Sequence, residues 1–127
     1  MRVRWMAIVL LASLGGCAWL SDSRKFSVYF ESDSVVLSQQ SRDTIEAVAK
    51  FARAHPLQPI AVHGFEAPPD PRHDVEGLSA HRAETVKQAL ITGGVDPNRV
   101  TATANGVIDP KALPEVAVRR VDIDVGK

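Results

Sequence analysis

The segment Phe26-Ser27-Val28-Tyr29-Phe30-Glu31-Ser32-Asp33-Ser34 begins as a strand and ends as a turn. Phe26, Val28 and Phe30 alternate with Ser27, Tyr29 and Glu31, the period of two that sends successive side chains to opposite faces of a sheet, and Ser32 to Ser34 break it. Downstream, Ser38 suits the N-cap of a helix reaching about Ala54, because its hydroxyl can accept from an otherwise unpaired amide of the first turn. Ile45, Val48, Ala49 and Ala52 give that helix one apolar face, and Pro56 stops it, since the residue before a proline avoids helical angles. Pro59 to Phe65 reads as a second strand, with Ile60 and Val62 on one face and Gly64 near its end. Glu66 to Gly77 is a polar loop with three prolines and no hydrophobic period. Leu78, Ala83, Val86 and Leu90 define a second amphipathic helix, closed by Gly93-Gly94. Arg99 to Asn105 sets Val100, Ala102 and Ala104 against threonines as a third strand with small inward residues; Val121, Ile123 and Val125 alternate with Arg120, Asp122 and Asp124 as the last. The order β-α-β-α-β-β is that of an α+β domain, in which crossover connections of the usual right hand put both helices on one face of a mixed sheet.

Upstream, Arg2 and Arg4 precede an apolar run from Trp5 to Leu14, then Gly15-Gly16 and Cys17, the only cysteine of the chain. A run of about ten apolar residues is half of the roughly 20 that cross a bilayer as a helix, so the pattern is that of an export signal. Leu14-Gly15-Gly16-Cys17 resembles the lipobox of bacterial lipoproteins. The resemblance implies cleavage before Cys17, a diacylglycerol on its thiol, and a chain organised as signal peptide 1–16, lipidated cysteine and short tether 17–25, and domain 26–127. Ala18 resembles the residue of lipoproteins sorted to the outer membrane, which makes the expected location the periplasmic side of that membrane. Ala18 to Lys25 span at most about 28 Å when extended, so the domain should sit close to its membrane. Trp19 and Leu20 suit either the membrane interface or plain linker.

The 15 Lys+Arg match the 15 Asp+Glu, and loss of Arg2 and Arg4 leaves a small acidic excess. Nothing in the overall charge calls for nucleic acid or an anionic lipid surface. The roughly 110 residues after the signal fit one domain, which must fold without disulfides once Cys17 carries lipid. His55, His63, His73 and His81 include no pair at the i, i+4 spacing of helical metal ligands, and no Gly-x-Ser-x-Gly elbow is present. No metal or cofactor is expected, and the chain reads as a binding protein rather than an enzyme.

Val28 to Ser34, with Leu37 three residues on, resembles the VYFDFDS..L opening of the OmpA-like C-terminal domain family. Leu78-Ser79-Ala80-His81-Arg82-Ala83 with Val86 and Leu90 resembles its LS..RA..V...L helix, and Gly94-Val95 with Arg99-Val100 resembles the turn into its third strand. Gly106 and Pro110 fall where its GYGE..P segment has glycine and proline, and Arg119-Arg120-Val121 resembles its closing NRRV. The likeness covers about residues 26 to 125. It implies binding of peptidoglycan through the D-centre of diaminopimelate in the stem peptide. Such a zwitterion needs a carboxylate for its ammonium and a guanidinium for its carboxylate, because both ends are desolvated together. Arg82 stands on the family arginine, and Arg119 and Arg120 on the pair that supports the site from an adjacent strand. By parity Arg119 faces with Val121 and Ile123, and Arg120 faces the other way.

Counting from Gly64, the glycine of the family's GHTD, the aspartate falls on Ala67 and the threonine on Glu66. Val75 and Val118 stand where the family has asparagines, and Asn105 where it has tyrosine. Two expectations follow. In the first, Glu66 or Asp70 supplies the missing carboxylate and the domain contacts peptidoglycan through Arg82. In the second, the site has lapsed and the domain is a protein-docking accessory of an envelope or secretion assembly. The expected partners are the outer membrane through the lipid, and peptidoglycan or an envelope protein complex.

Overall fold

Val121, Ile123 and Val125 point into the core while Arg120, Asp122 and Asp124 do not, and the strand they form lies inside the sheet rather than at its edge. The computed structural model describes residues 23–68, 77–108, 111 and 113–126. Among them β1 (Arg24–Tyr29), β2 (Ile60–Glu66), β3 (Val100–Val107) and β4 (Arg120–Val125) form one sheet of order β1-β4-β2-β3. β2 and β3 are parallel, and β4 runs antiparallel to both β1 and β2. Two long helices, α1 (Gln39–Ala54) and α2 (Leu78–Thr92), pack on one face, giving the expected α+β architecture with a mixed sheet. A 3₁₀ turn at Pro97–Arg99 and a one-turn helix, α3 (Glu115–Val118), complete the described elements.

Val28 of β1, Ile60 and Val62 of β2, and Val121, Ile123 and Val125 of β4 meet the apolar stripes of the helices, Ile45, Val48, Ala49 and Ala52 on α1 and Ala83, Val86 and Leu90 on α2. Each large aliphatic side chain buried in this way contributes about 1.5–3 kcal/mol relative to exposure. Ser38 caps α1, its hydroxyl accepting from the Ser41 amide at 3.1 Å. The Ser41 hydroxyl in turn donates to the Tyr29 carbonyl at 3.2 Å, fastening the start of α1 to the end of β1. α2 closes on Gly93, and Gly94 follows at φ +95°, a left-handed conformation open to glycine at no Cβ penalty.

Three details differ from expectation. Arg24 and Lys25, placed by the sequence in the tether, belong to β1 and pair with Val125 and Asp124. At the other end Phe30 leaves the strand, although its amide still donates to the Arg119 carbonyl at 2.8 Å. The inward alternation of β3 fails along its length, with Val100 buried, Ala102 half-buried and Ala104 exposed. β3 is an edge strand, and it carries one extra residue against β2 between the Gly64–Ala104 and Glu66–Val107 pairs. Such a bulge bends a strand and re-aims its side chains.

Candidate functional site

A Cβ on Gly64 would stand 2.0 Å from the Ser79 carbonyl oxygen, so it is the absence of a side chain that lets the first turn of α2 rest on β2. Glu66, two residues on and of the same parity, reaches that turn. Gly77, the N-cap of α2, has no side chain to accept from the helix, and the Glu66 carboxylate takes that part across the fold. Its Oε2 accepts from the amides of Gly77 and Leu78, each at 3.1 Å, and its Oε1 from the Ser79 hydroxyl, also at 3.1 Å. The unpaired amides and positive dipole end of a helix start favour a carboxylate there. Glu66 is only 6% exposed, so these bonds are shielded from water. Glu66→Ala should destabilise the domain by about 2–3 kcal/mol in urea unfolding and Glu66→Gln by about half as much, since the amide keeps one acceptor oxygen.

Arg82, one turn into α2, has no exposed surface. Its Nε donates to the Ser34 carbonyl at 3.0 Å, Nη2 to Glu31 at 3.2 Å and Nη1 to Phe65 at 3.3 Å. The guanidinium lies 5.5 Å from the centroid of the Phe30 ring. A guanidinium keeps its charge when buried, so its donors must find acceptors. Through Arg82 the turn after β1 is joined to the end of β2, although β4 separates those two strands in the sheet. The ends of β1 and β2 and the start of α2 therefore form one pole, organised around an enclosed cation and a capping carboxylate.

The other residues singled out from the sequence are distributed around this pole. Ala67 follows Glu66 and is buried, and Val118 is fully buried. Arg119 is also buried, and its carbonyl holds the amide of Phe30, whose ring packs beside Arg82. Arg120 is not brought to the Arg82 side. It faces outward from the sheet, where Nε donates to both carboxylate oxygens of Asp122 at 3.1 and 3.2 Å and Nη1 to the Ala117 carbonyl at 2.8 Å. Its guanidinium sits 5.0 Å from the Phe65 ring centroid. That pairing with Asp122 removes Arg120 from the set facing α2, as its strand parity indicates. Asn105 is exposed, its Oδ1 3.3 Å from His63 Nδ1. Cys17, Asp70, Val75 and Pro110 lie outside the described residues.

The capping role of Glu66 and the clamp made by Arg82 were not foreseen. One signal for the first was present: a helix starting after Gly77, with no acceptor of its own, needs one from elsewhere, and Glu66 shares the inward parity of Gly64. Chemically, backbone carbonyls of the 31–34 turn and of Phe65 already hold donors of the Arg82 guanidinium, and they compete with any incoming carboxylate for it.

A two-layer α+β domain of this kind has many solved counterparts. The peptidoglycan-associated lipoprotein from Burkholderia pseudomallei matches with a TM-score of 0.66 at 24% identity, covering 78% of this chain and 88% of that one. The C-terminal domain of Helicobacter pylori MotB matches with a TM-score of 0.69 at 26% identity, covering 80% and 86%. The sequence model of the OmpA family matches residues 29–122, and the chain belongs to that family. It is 32% identical over 103 residues to outer membrane protein A of Bordetella avium, covering 76% of this chain and 53% of that protein. It is 33% identical over 103 residues to the protein named "Probable lipoprotein YiaD" of Escherichia coli, covering 76% and 47%. The chain spans about half the length of these two relatives.

Proposed function

We propose that this is a non-catalytic envelope protein, held by lipid on Cys17 to the periplasmic side of the outer membrane, whose domain associates with peptidoglycan at the Arg82 pole. The observation that carries the reading is the family membership over residues 29–122, together with the complete burial of Arg82, the residue that the resemblance sets on the family arginine, at the pole's centre. The names of its relatives, an outer membrane protein, a lipoprotein and a peptidoglycan-associated lipoprotein, support the same compartment and polymer. Recognition of a diaminopimelate carboxylate there requires the 31–34 turn to give up part of its hold on Arg82, and the ammonium requires a carboxylate at the end of β2.

A second reading, a docking accessory of an envelope assembly that has lost the ligand, is favoured by one observation. The Glu66 carboxylate is engaged at the start of α2, and Ala67, the position that the resemblance equates with the family aspartate, is buried and has no carboxylate to offer. Pull-down of the lipidated chain on purified sacculi separates the two. Under the first reading the parent binds and Arg82→Lys, checked for folding by its melting curve, weakens binding about tenfold or more. A parent that does not bind, with binding gained in Ala67→Asp, would establish the second. For the anchor, Cys17→Ser should move the chain from the membrane to the soluble fraction; unchanged fractionation would refute lipidation.

A further inference from the structure

We infer that the end of the domain opposite Arg82 rests against the phospholipid surface, with Leu57 entering the headgroup region and Arg24 and Arg53 meeting lipid phosphates. The inference rests on the lipid anchor proposed for Cys17 and adds an orientation to it.

The tether sets the geometry. Because β1 begins at Arg24, Cys17 is separated from Ser23 by a stretch that spans at most about 21 Å fully extended. The end of the sheet where β1 begins is therefore held near the bilayer. Ser23 is next to Gln58, because both crowd the space where a Cβ of Gly126 would sit, each with an atom at 3.1 Å. Leu57 adjoins Gln58 in the α1–β2 connection and is 96% exposed, more than the other exposed large hydrophobic residues described. A single exposed leucine is ordinary on a protein surface. This one stands where the chain comes in from the membrane, on a turn that is braced.

The brace is Arg99. Its Nη1 donates to the Ala52 carbonyl at 3.0 Å, and its Nη2 to those of His55 and Gln58, both at 2.8 Å. Both ends of the turn carrying Leu57 are thus tied to one guanidinium, and Pro56 and Pro59 flank the leucine. The apolar tip is presented without the ordering entropy that a loose loop would lose on contact.

Charge is distributed to match. Arg24 stacks 4.6 Å over Phe51 in the last turns of α1, and exposed Arg53 donates to the Gly93 carbonyl. Exposed Lys50 lies in the same last turns. Of the carboxylates at this end, Asp124 is paired with Lys25 at 3.7 Å, while Asp96 caps the 3₁₀ turn by accepting from the Asn98 amide at 2.9 Å. At the far pole the exposed charges of the 31–34 turn are Glu31 and Asp33. The near-neutral total hides this local grouping of Arg24, Lys50 and Arg53, and basic residues beside an apolar tip are what binds an anionic interface.

The test places a tryptophan at each end of the full lipidated chain, in a Trp19→Phe background, reconstituted in phosphatidylethanolamine–phosphatidylglycerol vesicles. With brominated lipids, the emission of Leu57→Trp should shift to the blue and be quenched severalfold more than that of Val36→Trp, which reports from the opposite pole. Adding Arg24→Glu and Arg53→Glu should remove most of that quenching. A Leu57→Trp chain that floats with the vesicles while its emission stays unquenched would overturn the orientation and leave the anchor standing. Chain that does not float with them would overturn both.

Discussion

Gly64→Ala is expected to leave a protein that is largely unfolded at growth temperature, the largest loss that one added methyl group can produce in this domain. The new Cβ would meet the Ser79 carbonyl oxygen at 2.0 Å, its carbon at 2.9 Å and the Ala83 Cβ at 3.0 Å. Two of these are helix backbone atoms, which cannot swing aside as the end of a flexible side chain can. Relief requires α2 to lift from β2, and α2 carries the hydrogen bonds to Glu66, the Arg82 clamp and the core residues Ala83, Val86 and Leu90 with it. Overpacking that side chains can absorb costs about 1–3 kcal/mol, and this backbone clash should cost about 4 kcal/mol or more, out of the roughly 5–15 kcal/mol that stabilises a typical domain. Gly77→Ala and Gly106→Ala are the controls. Each glycine has a positive φ, +90° and +74°, with open space where a Cβ would go, so each should cost about 1 kcal/mol through backbone conformation alone. Urea titrations in which all three variants lose the same amount would contradict the close approach of α2 to β2.

Arg82→Ala comes next in expected effect, about 3–5 kcal/mol, because it strands the carbonyls of Glu31, Ser34 and Phe65 and empties a fully buried site. With about 4–8 °C of melting temperature lost per kcal/mol in a domain of this size, calorimetry should show a drop of about 15 °C or more. Arg82→Lys should recover only part of it, since a lysine ammonium on a flexible stem cannot present the planar fork that meets three carbonyls at once. Hydrogen exchange should localise the damage, with amides of the 31–34 turn losing protection before those of α1. A melting temperature within a few degrees of the parent in Arg82→Ala would show that the guanidinium does not join the turn to β2.

How much of this could be read from the chain depended on the range of each interaction. The Ser38 cap, the Ile45–Ala52 stripe and the alternation of β4 are local patterns, and they emerged with nearly the observed boundaries. The order of elements implied a mixed sheet with both helices on one face, whereas the strand order β1-β4-β2-β3 was not read, since periodicity alone does not say which strands are neighbours. Glu66 was legible as a substitute for a threonine but not as a helix cap, because its partners lie 11 to 13 residues further along the chain. Arg82 was legible as a key cation but not as a buried one, because arginines are mostly exposed and only tertiary contacts reveal when one is enclosed. Ala104 misled for a related reason: alternation predicts which side a residue faces, and not whether a helix covers that side. Arg119 and Arg120, adjacent and identical, were separated correctly by parity, and the structure adds that Asp122 holds the second of them.

The position of β4 also sets the order in which the chain can become a domain. β1 and β2 are neighbours of β4 and not of each other, so until residues 120–125 are available the two halves of the sheet have no common edge to join. Pairing across the full span of the chain, Arg24 with Val125, is the kind of distant closure that slows folding and keeps unfinished chains open to proteases and aggregation. A polypeptide emerging N-terminus first, from the ribosome or through a membrane channel, would stay unfolded until its last strand is released. That keeps residues 24–119 threadable until β4 arrives, and makes Arg120–Val125 the segment whose loss would be least tolerated.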